Sequence, residues 1–160
     1  MIFNVLDIIR GTTVDGPGFR TSIYLAGCRH QCKGCHNPQS WDVENGKPMS
    51  LDEILKIVEE EDFDVTLSGG DPLFNLETTN ALIEALKRDN RNVWLYTGFT
   101  WEEIINDKRL WDIVSKVDVV VDGPFVEELR NPDLQFRGSS NQRMIDIKAS
   151  IATDTLVLWR

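Results

Sequence analysis

Three cysteines stand close together in the chain, and their type and spacing suggest chemistry more clearly than any other residues. Cys28, Cys32 and Cys35 follow the pattern C-x3-C-x2-C. Thiolate sulfur selects zinc or iron–sulfur centres. Three sulfurs on one loop could hold three corners of a 4Fe–4S cluster and leave the fourth iron open, as a catalytic site requires. His30 or His36 could instead complete a Cys3His zinc site, and the spacing alone does not separate the two.

The cysteine count also bears on the compartment, because these three are all that the 160-residue chain contains. An odd number in one cluster disfavours a disulfide framework, so we expect a bound metal and a reducing compartment. No apolar run approaches the ~20 residues that span a bilayer. Arg10 and Gly11 end the apolar start too early for a secretory signal. These features predict a cytoplasmic protein, and the net charge of −9 argues against a nucleic-acid binder.

Strand and helix patterns alternate along the chain. Runs of β-branched, aromatic and aliphatic residues predict strands at Thr21–Ala26, Asp64–Leu67, Asn92–Tyr96 and Val117–Val121. Apolar residues at helical spacing, with capping boxes at Ser50 and Thr100, predict helices at Leu51–Glu61, Glu77–Arg88, Thr100 to Asn106 and Leu110–Lys116. In the tail, Arg143–Ile147 and Thr155–Trp159 could add two more strands.

This alternation predicts an α/β fold with a mostly parallel sheet. The nearly continuous apolar run of the fourth strand indicates burial on both faces, as in a parallel sheet. The length suits a single domain over residues 1–160 but is short for a closed eight-stranded barrel. We therefore expect an open, partial β/α barrel.

Four loops with special residues follow the four predicted strands: the cysteine loop, Ser68–Asp71, Thr97-Gly98 and Asp122–Pro124. Ligands gather at the carboxyl ends of parallel strands, so we expect these loops to meet at one rim. The glycine pair of the second loop would let its backbone approach a ligand closely. Its aspartate could accept hydrogen bonds from an ammonium group, although a plain turn capped by that aspartate explains the same residues.

Two further segments suggest little chemistry from their residues alone. Val14–Arg20 reads VDGPGFR, and its two glycines around a proline predict a tight turn. Arg20 could contact an anion, but a surface position is the commoner outcome for an arginine. Phe136–Arg143 reads FRGSSNQR, and its polar, Gly/Ser-centred composition favours a solvated connector.

Together the motifs resemble those of the radical S-adenosylmethionine enzymes and, within them, the glycyl-radical-enzyme activases. The resemblance spans nearly the whole chain. It is carried by VDGPGFR at Val14–Arg20, the cysteine loop with His36-Asn37 and Trp41-Asp42, SGGDPL at Ser68–Leu73, WLYTGFTWEE at Trp94–Glu103, VDGPF at Val121–Phe125 and FRGSSNQR at Phe136–Arg143. The last motif is the most specific to the branch that serves the anaerobic ribonucleoside-triphosphate reductase.

The resemblance implies two cofactors, a 4Fe–4S cluster held by Cys28, Cys32 and Cys35 and S-adenosylmethionine chelated to the open iron. It implies further contacts to S-adenosylmethionine from Gly34, Cys35 and His36 at the adenine, from Gly69, Gly70 and Asp71 at the methionine end, and from Thr97 and Asp122 near the ribose or sulfonium. No catalytic acid or base is implied. The chain departs from the usual pattern in having Gly34 in place of an aromatic residue and His36 where this branch often has tyrosine.

The resemblance also implies a partner and a reaction. Reductive cleavage of S-adenosylmethionine would yield a 5′-deoxyadenosyl radical that takes hydrogen from a glycine of the large subunit of the anaerobic ribonucleoside-triphosphate reductase. A one-electron donor such as a flavodoxin would reduce the cluster. One alternative is an activase of another glycyl radical enzyme, such as pyruvate formate-lyase, which FRGSSNQR and the short chain disfavour. The other is a non-catalytic zinc or iron–sulfur module, which would leave the Ser68–Asp71 loop unexplained.

Overall fold

A seven-stranded mixed sheet organises the part of the chain that the computed structural model describes, residues 1–30, 32–35 and 38–160. The strands lie in the order β3-β1-β2-β4-β5-β6-β7. Their bounds are β1 Ile2–Thr12, β2 Arg20–Leu25, β3 Lys47–Ser50, β4 Asp64–Gly69, β5 Val93–Tyr96, β6 Val119–Asp122 and β7 Arg143–Asp146. The sheet is open, with β3 and β7 at its two edges.

The strand directions confirm the predicted α/β class and correct one part of it. The neighbours β2, β4, β5 and β6 are parallel to one another. The outer pairs β1–β2, β1–β3 and β6–β7 are antiparallel, so only three of the six pairings are parallel. A parallel pair needs a crossover, usually a helix, whereas a short return makes an antiparallel pair. The crossovers are present only in the middle of the chain, and the parallel sheet is therefore confined to the centre.

Five helices connect or flank these strands in the described residues. Their bounds are α1 Leu51–Glu61, α2 Leu76–Arg88, α3 Trp101–Ile105, α4 Lys108–Val114 and α5 Ile147–Thr153. Short 3-10 turns lie at Pro38–Trp41, Val43–Asn45, Pro72–Phe74 and Glu127–Leu129. The capping boxes predicted at Ser50 and Thr100 are both formed and begin α1 and α3. None of the described helices is long and apolar enough to cross a membrane.

Helices cover one face of the sheet. Ile23, Leu67 and Leu95 of β2, β4 and β5 are fully buried there. They belong to one apolar cluster with Ile54 of α1 and Leu82 of α2. This helical layer packs against the parallel strands, and the loops at the carboxyl ends of these strands start from that packed layer.

The other face is covered by loops and by the end of the chain. Trp94 of β5 is buried there and meets Phe136 and Trp159 edge to face, with ring centroids 5.5 and 5.0 Å away. Ser139 is also fully buried and accepts a hydrogen bond from the Val126 N–H. Composition alone favoured a solvated connector at Phe136–Arg143, and the packing of this segment shows that interpretation to be wrong.

Arg20 lies on this loop-covered face and is only 2% exposed, so the expected surface position is also wrong. Its guanidinium donates to the Thr66 hydroxyl, to the Val65 carbonyl and to Asn92, and it lies 5.8 Å from the centre of the Trp94 ring. Burial lowers the pKa of this side chain. Arg20 therefore ties the VDGPGFR turn to the sheet rather than facing an external anion.

The sequence patterns missed several elements. Neither β1 nor β3 was predicted. Within β1, Phe3 and Val5 are the only buried residues, so the strand lacks a clear apolar face. Helix α5 was also missed. Of the two tail segments, the first forms β7, whereas Thr155–Trp159 contributes a single bridge between Leu158 and Ile145.

Candidate active site

The loops after β2, β4, β5 and β6 surround one cleft of about 210 Å³ at the carboxyl edge of the parallel strands. The structure thus brings together the four segments that the sequence placed at one rim. The residues lining the cleft are Cys28, His30, Cys32, Cys35, Ser40, Trp41, Ser68, Gly69, Gly70, Tyr96, Thr97, Gly98, Gly123, Pro124, Phe125, Gly138 and Gln142. Many of these are small or aromatic, and the three cysteines contribute the sulfur.

The cysteine loop is fixed where it leaves β2. The Gly27 N–H donates to the Ser40 carbonyl at 2.6 Å, and the Cys28 N–H donates to the Trp41 carbonyl at 3.2 Å. Further on, the Cys35 N–H donates to the Cys32 carbonyl at 3.1 Å and forms a tight turn. All three cysteine side chains are half-buried in the cleft, and burial raises the pKa of the Cys32 thiol.

Three cysteines that line one cleft fit an iron–sulfur cluster, because iron–sulfur clusters are held by cysteine thiolates. A cluster with only three protein ligands would leave its fourth iron open to another ligand. In residues 1–30, 32–35 and 38–160, no group of three or more His, Cys, Asp and Glu side chains is arranged to hold a single metal ion.

The glycine pair at the end of β4 packs against the base of the cysteine loop. A Cβ atom at Gly70 would lie 2.4 Å from the Gly27 carbonyl oxygen and 2.7 Å from that of Ser40. The Gly70 N–H donates to the Leu25 carbonyl, and the Asp71 N–H donates to the Gly27 carbonyl. Glycine is needed here because two backbones approach closely, so the pair holds the base of the cysteine loop as well as lining the cleft.

Asp71 is 2% exposed, and both of its carboxylate oxygens are hydrogen-bonded within the chain. Oδ1 accepts from the Leu73 N–H at 2.9 Å. Oδ2 accepts from the Thr97 hydroxyl and the Gly98 N–H, both at 2.9 Å, and lies 2.7 Å from Nε2 of His30. Asp71 therefore connects the loops after β2, β4 and β5 to one another.

His30 of the cysteine loop completes this connection. Its hydrogen bond to Asp71 raises the pKa of the imidazole. The ring also lies edge-on to Phe99, with centroids 4.7 Å apart. From the sequence, His30 was considered only as a possible zinc ligand, because no pattern in the chain pairs it with an aspartate forty-one positions away.

Asp122, at the end of β6, is 1% exposed and also bonded within the chain. Its oxygens accept from the Trp101 N–H at the start of α3 and from the backbone and guanidinium of Arg143. Arg143 in turn holds Glu102, at 2.7 Å. Thr97, Gly69 and Gly70 line the cleft, whereas Asp71 and Asp122 are not among its described lining residues.

The remaining predicted site residues belong to the cysteine loop. Gly34 has a backbone φ of +74° and packs against the side chain of Glu127, which a Cβ atom at this position would approach to 2.9 Å. Lys33 lies 4.0 Å from the same carboxylate. His36 lies outside the described residues. Sequence reasoning did not single out Ser40, Tyr96 or Gln142 as lining residues, although Tyr96 and Gln142 lie within quoted motifs and Ser40 directly precedes Trp41-Asp42.

The comparisons with known proteins first define the class. Residues 14–145 match the model of the 4Fe–4S single cluster domain family, so the match includes all four rim loops. The fold is similar to that of QueE from Escherichia coli, with a TM-score of 0.52 and 17% identity over 62% of this chain and 54% of that one. At that identity the likeness concerns the fold alone.

The particular family follows from closer relatives. The chain is 34% identical to the anaerobic ribonucleoside-triphosphate reductase-activating protein of Haemophilus influenzae, over 87% of this chain and 95% of the relative. It is also 34% identical to the proteins of that name from Vibrio cholerae, over 81% of this chain and 88% of the relative, and from phage T4, over 82% and 86%. The chain belongs to the family of anaerobic ribonucleoside-triphosphate reductase-activating proteins.

Proposed function

We propose that this chain is a radical S-adenosylmethionine enzyme that activates an anaerobic ribonucleoside-triphosphate reductase by generating a glycyl radical on its large subunit. The single observation that carries the proposal is the cleft, which is lined by the three cysteines together with the glycine pair and the Thr97-Gly98 turn. That lining offers sulfur for a cluster and backbone groups for a second ligand in the same cavity. Membership of the activating-protein family supports the same conclusion.

In this proposal Cys28, Cys32 and Cys35 hold a 4Fe–4S cluster, and S-adenosylmethionine occupies the rest of the cleft. When bound, the cluster would supply the single electron for reductive cleavage of S-adenosylmethionine. The protein's part is to bind and orient these groups and to exclude water. No side chain is assigned as acid or base.

The contacts to S-adenosylmethionine are divided between the loops. We assign the methionine end to Gly69 and Gly70, and the adenine side to Gly34, Cys35 and His36. Thr97 lies on the cleft wall and is assigned to the ribose or sulfonium region. Asp71 and Asp122 contribute by holding these loops in place, because their carboxylates are occupied by groups of the chain itself.

Several features of the wider setting belong to the same proposal. Residues 1–160 form one radical S-adenosylmethionine domain, whose open sheet represents a partial β/α barrel. The protein works in the cytoplasm, where thiols stay reduced, and receives its electron from a one-electron donor such as a flavodoxin.

The test is direct. The protein is reconstituted with iron and sulfide without oxygen, reduced with dithionite and given S-adenosylmethionine, and 5′-deoxyadenosine is assayed. We expect product from the wild type and none from Cys28→Ala, Cys32→Ala or Cys35→Ala. Addition of the large reductase subunit should then give a glycyl radical signal in electron paramagnetic resonance. A protein that holds one zinc ion and makes no 5′-deoxyadenosine would refute the proposal.

We also propose that the Phe136–Arg143 segment helps to dock the reductase, and Arg137 allows a separate test of this. This half-buried residue donates to the Gln142 carbonyl at 2.8 Å, in the segment that borders the cleft. We predict that Arg137→Ala reduces the yield of glycyl radical on the reductase more than it weakens S-adenosylmethionine binding, measured by calorimetry. The control is Arg130→Ala, an exposed residue of the preceding loop. Equal losses in both readouts would contradict this division of roles.

A further inference from the structure

We propose that His30 and Asp71 are positioning residues, which lock the cysteine loop onto the ends of β4 and β5. We further propose that residue 98 is glycine because the His30 ring occupies the space that a side chain would fill. The inference rests on the proposed function for its meaning, since the locked loop is the one that would hold the cluster.

Hydrogen bonds to one buried carboxylate connect the cysteine loop to the ends of the two strands. Three groups from two other loops converge on Oδ2 of Asp71: Nε2 of His30 at 2.7 Å, the Thr97 hydroxyl at 2.9 Å and the Gly98 N–H at 2.9 Å. Hydrogen bonds to a buried carboxylate are stronger than those between neutral groups. The other oxygen of Asp71, Oδ1, accepts a hydrogen bond from the Leu73 N–H. The carboxylate therefore cannot rotate without losing that hydrogen bond as well.

Close packing also fixes the position of the His30 imidazole. A Cβ atom at Gly98 would lie 2.5 Å from Cδ2, 2.6 Å from Cγ and 2.8 Å from Nε2 of His30, and all are atoms of the ring. Phe99 meets the ring from a second side. The three nearest atoms to a Cβ at 98 all belong to His30, so this ring is the first obstacle that a side chain at position 98 would meet.

His30 stands two positions after Cys28 and two before Cys32, so its fixed ring limits where the two sulfurs can lie. Partners that orient ligand-bearing residues typically change metal affinity about 10–100-fold when they are removed. We therefore expect His30→Ala to lose its cluster to a chelator about tenfold faster than the wild type. Lys33→Ala is the matched control, because Lys33 is in the same loop with a side chain 85% exposed.

A double-mutant cycle tests the contact itself. Gly98→Ala is made in the wild type and in His30→Ala, and urea unfolding of the protein without cluster is measured for all four. In the wild type, the new methyl group must displace the ring, and we expect the unfolding equilibrium constant to rise about fivefold or more. In His30→Ala, the same change should have almost no effect. If Gly98→Ala fails to fold while the double variant folds, the coupling is established in its strongest form.

The outcomes separate this inference from the proposed function. Equal effects of Gly98→Ala in both backgrounds, or a chelation rate for His30→Ala equal to that of Lys33→Ala, would overturn the positioning roles. The unfolding cycle needs no cofactor, so it gives its answer even if the wild type neither binds a cluster nor cleaves S-adenosylmethionine. The reduced cluster's electron paramagnetic resonance signal supplies a second readout, which we expect to broaden in His30→Ala and to stay unchanged in Lys33→Ala.

Discussion

At the scale of single residues, buried charged groups connect segments that are distant in sequence. Asp71, Asp122 and Arg20 are each at most 2% exposed, and each binds groups from at least two segments that are distant in sequence. Leaving a buried charge without its partners costs more than a surface ion pair contributes. Substitutions at these positions should therefore have large effects compared with similar changes at the surface.

Arg20 gives the clearest case. Its planar guanidinium reaches the Thr66 hydroxyl from Nε and the Val65 carbonyl and Asn92 from Nη2, whereas lysine would have to serve these acceptors from one nitrogen. We predict that Arg20→Lys lowers the free energy of unfolding by about 2–3 kcal/mol, measured by urea denaturation. The control is Arg10→Lys, because Arg10 is exposed and pairs with Glu60 at the surface. A similar small change in both variants would show that the buried contacts contribute little.

Glu102 allows a prediction of pH dependence. Hydrogen bonds from Arg143 lower the pKa of this carboxyl group below its value in the unfolded chain, about 4.3. A depressed pKa stabilises the fold above the unfolded value, and the contribution is lost as the pH falls through the folded value. Glu102→Gln should thus unfold more easily than the wild type near neutral pH, and the difference should disappear in acid.

The measurement is urea unfolding of both proteins across that range. Glu59→Gln, an exposed position on α1, is the control and should show no such pH-dependent difference. A difference for Glu102→Gln that persists unchanged in acid would mean that the carboxylate charge is not its source.

At the scale of elements, the site depends on how closely the ends of β2 and β4 approach. The backbones after these strands meet at Gly27 and Gly70, and each strand end donates or accepts hydrogen bonds across the gap. The central strands are held by the helices, whereas the loops are held mainly by one another. A change at this meeting point should therefore affect the cysteine loop before it affects the sheet.

Gly70→Ala tests this. The added methyl group would lie 2.4 Å from the Gly27 carbonyl oxygen, a backbone atom that cannot turn aside. We predict a lower unfolding temperature and a reduced iron content after reconstitution. Gly138→Ala is the milder control, since its nearest contact is the edge of the Phe125 ring at 3.1 Å. Equal iron contents in the two variants would contradict the importance of the close approach.

At the scale of the whole molecule, the seven-stranded sheet must cover two faces with only 160 residues. Helices cover one face. The other is closed by the VDGPGFR turn, by Phe136 and by Trp159 near the end of the chain. Loops and Trp159 thus bury this face of the sheet.

Trp159 should therefore contribute more to the stability of the fold than its position near residue 160 suggests. It packs against Trp94 and Phe136, and burial of such an aromatic pair contributes both area and ring contacts. We predict that Trp159→Ala lowers the free energy of unfolding by about 2 kcal/mol. Leu158→Ala, in which an exposed neighbour is truncated, is the control. A cost no larger than that of the control would show that the end of the chain does not close this face.

The sequence by itself determined the parts of this protein whose causes are local. The helix α1 and its capping box depend on residues within one turn, and the central strands on runs of buried residues, so both could be predicted. The same holds for the rim loops, because ligand-binding loops follow the carboxyl ends of parallel strands. The spacing of the cysteines likewise indicated thiolate chemistry before any fold was known.

Only the tertiary structure decided what depends on contacts between distant residues. The partners of Asp71 lie in the loops after β2 and β5, and nothing in its neighbours foretells them. The burial of Arg20 against Thr66 and Asn92 and the pairing of β1 with β3 are of the same kind, since each depends on residues far along the chain. Hydrogen bonding and packing act through space, whereas periodicity and capping act along the chain, and only the latter can be read in sequence order.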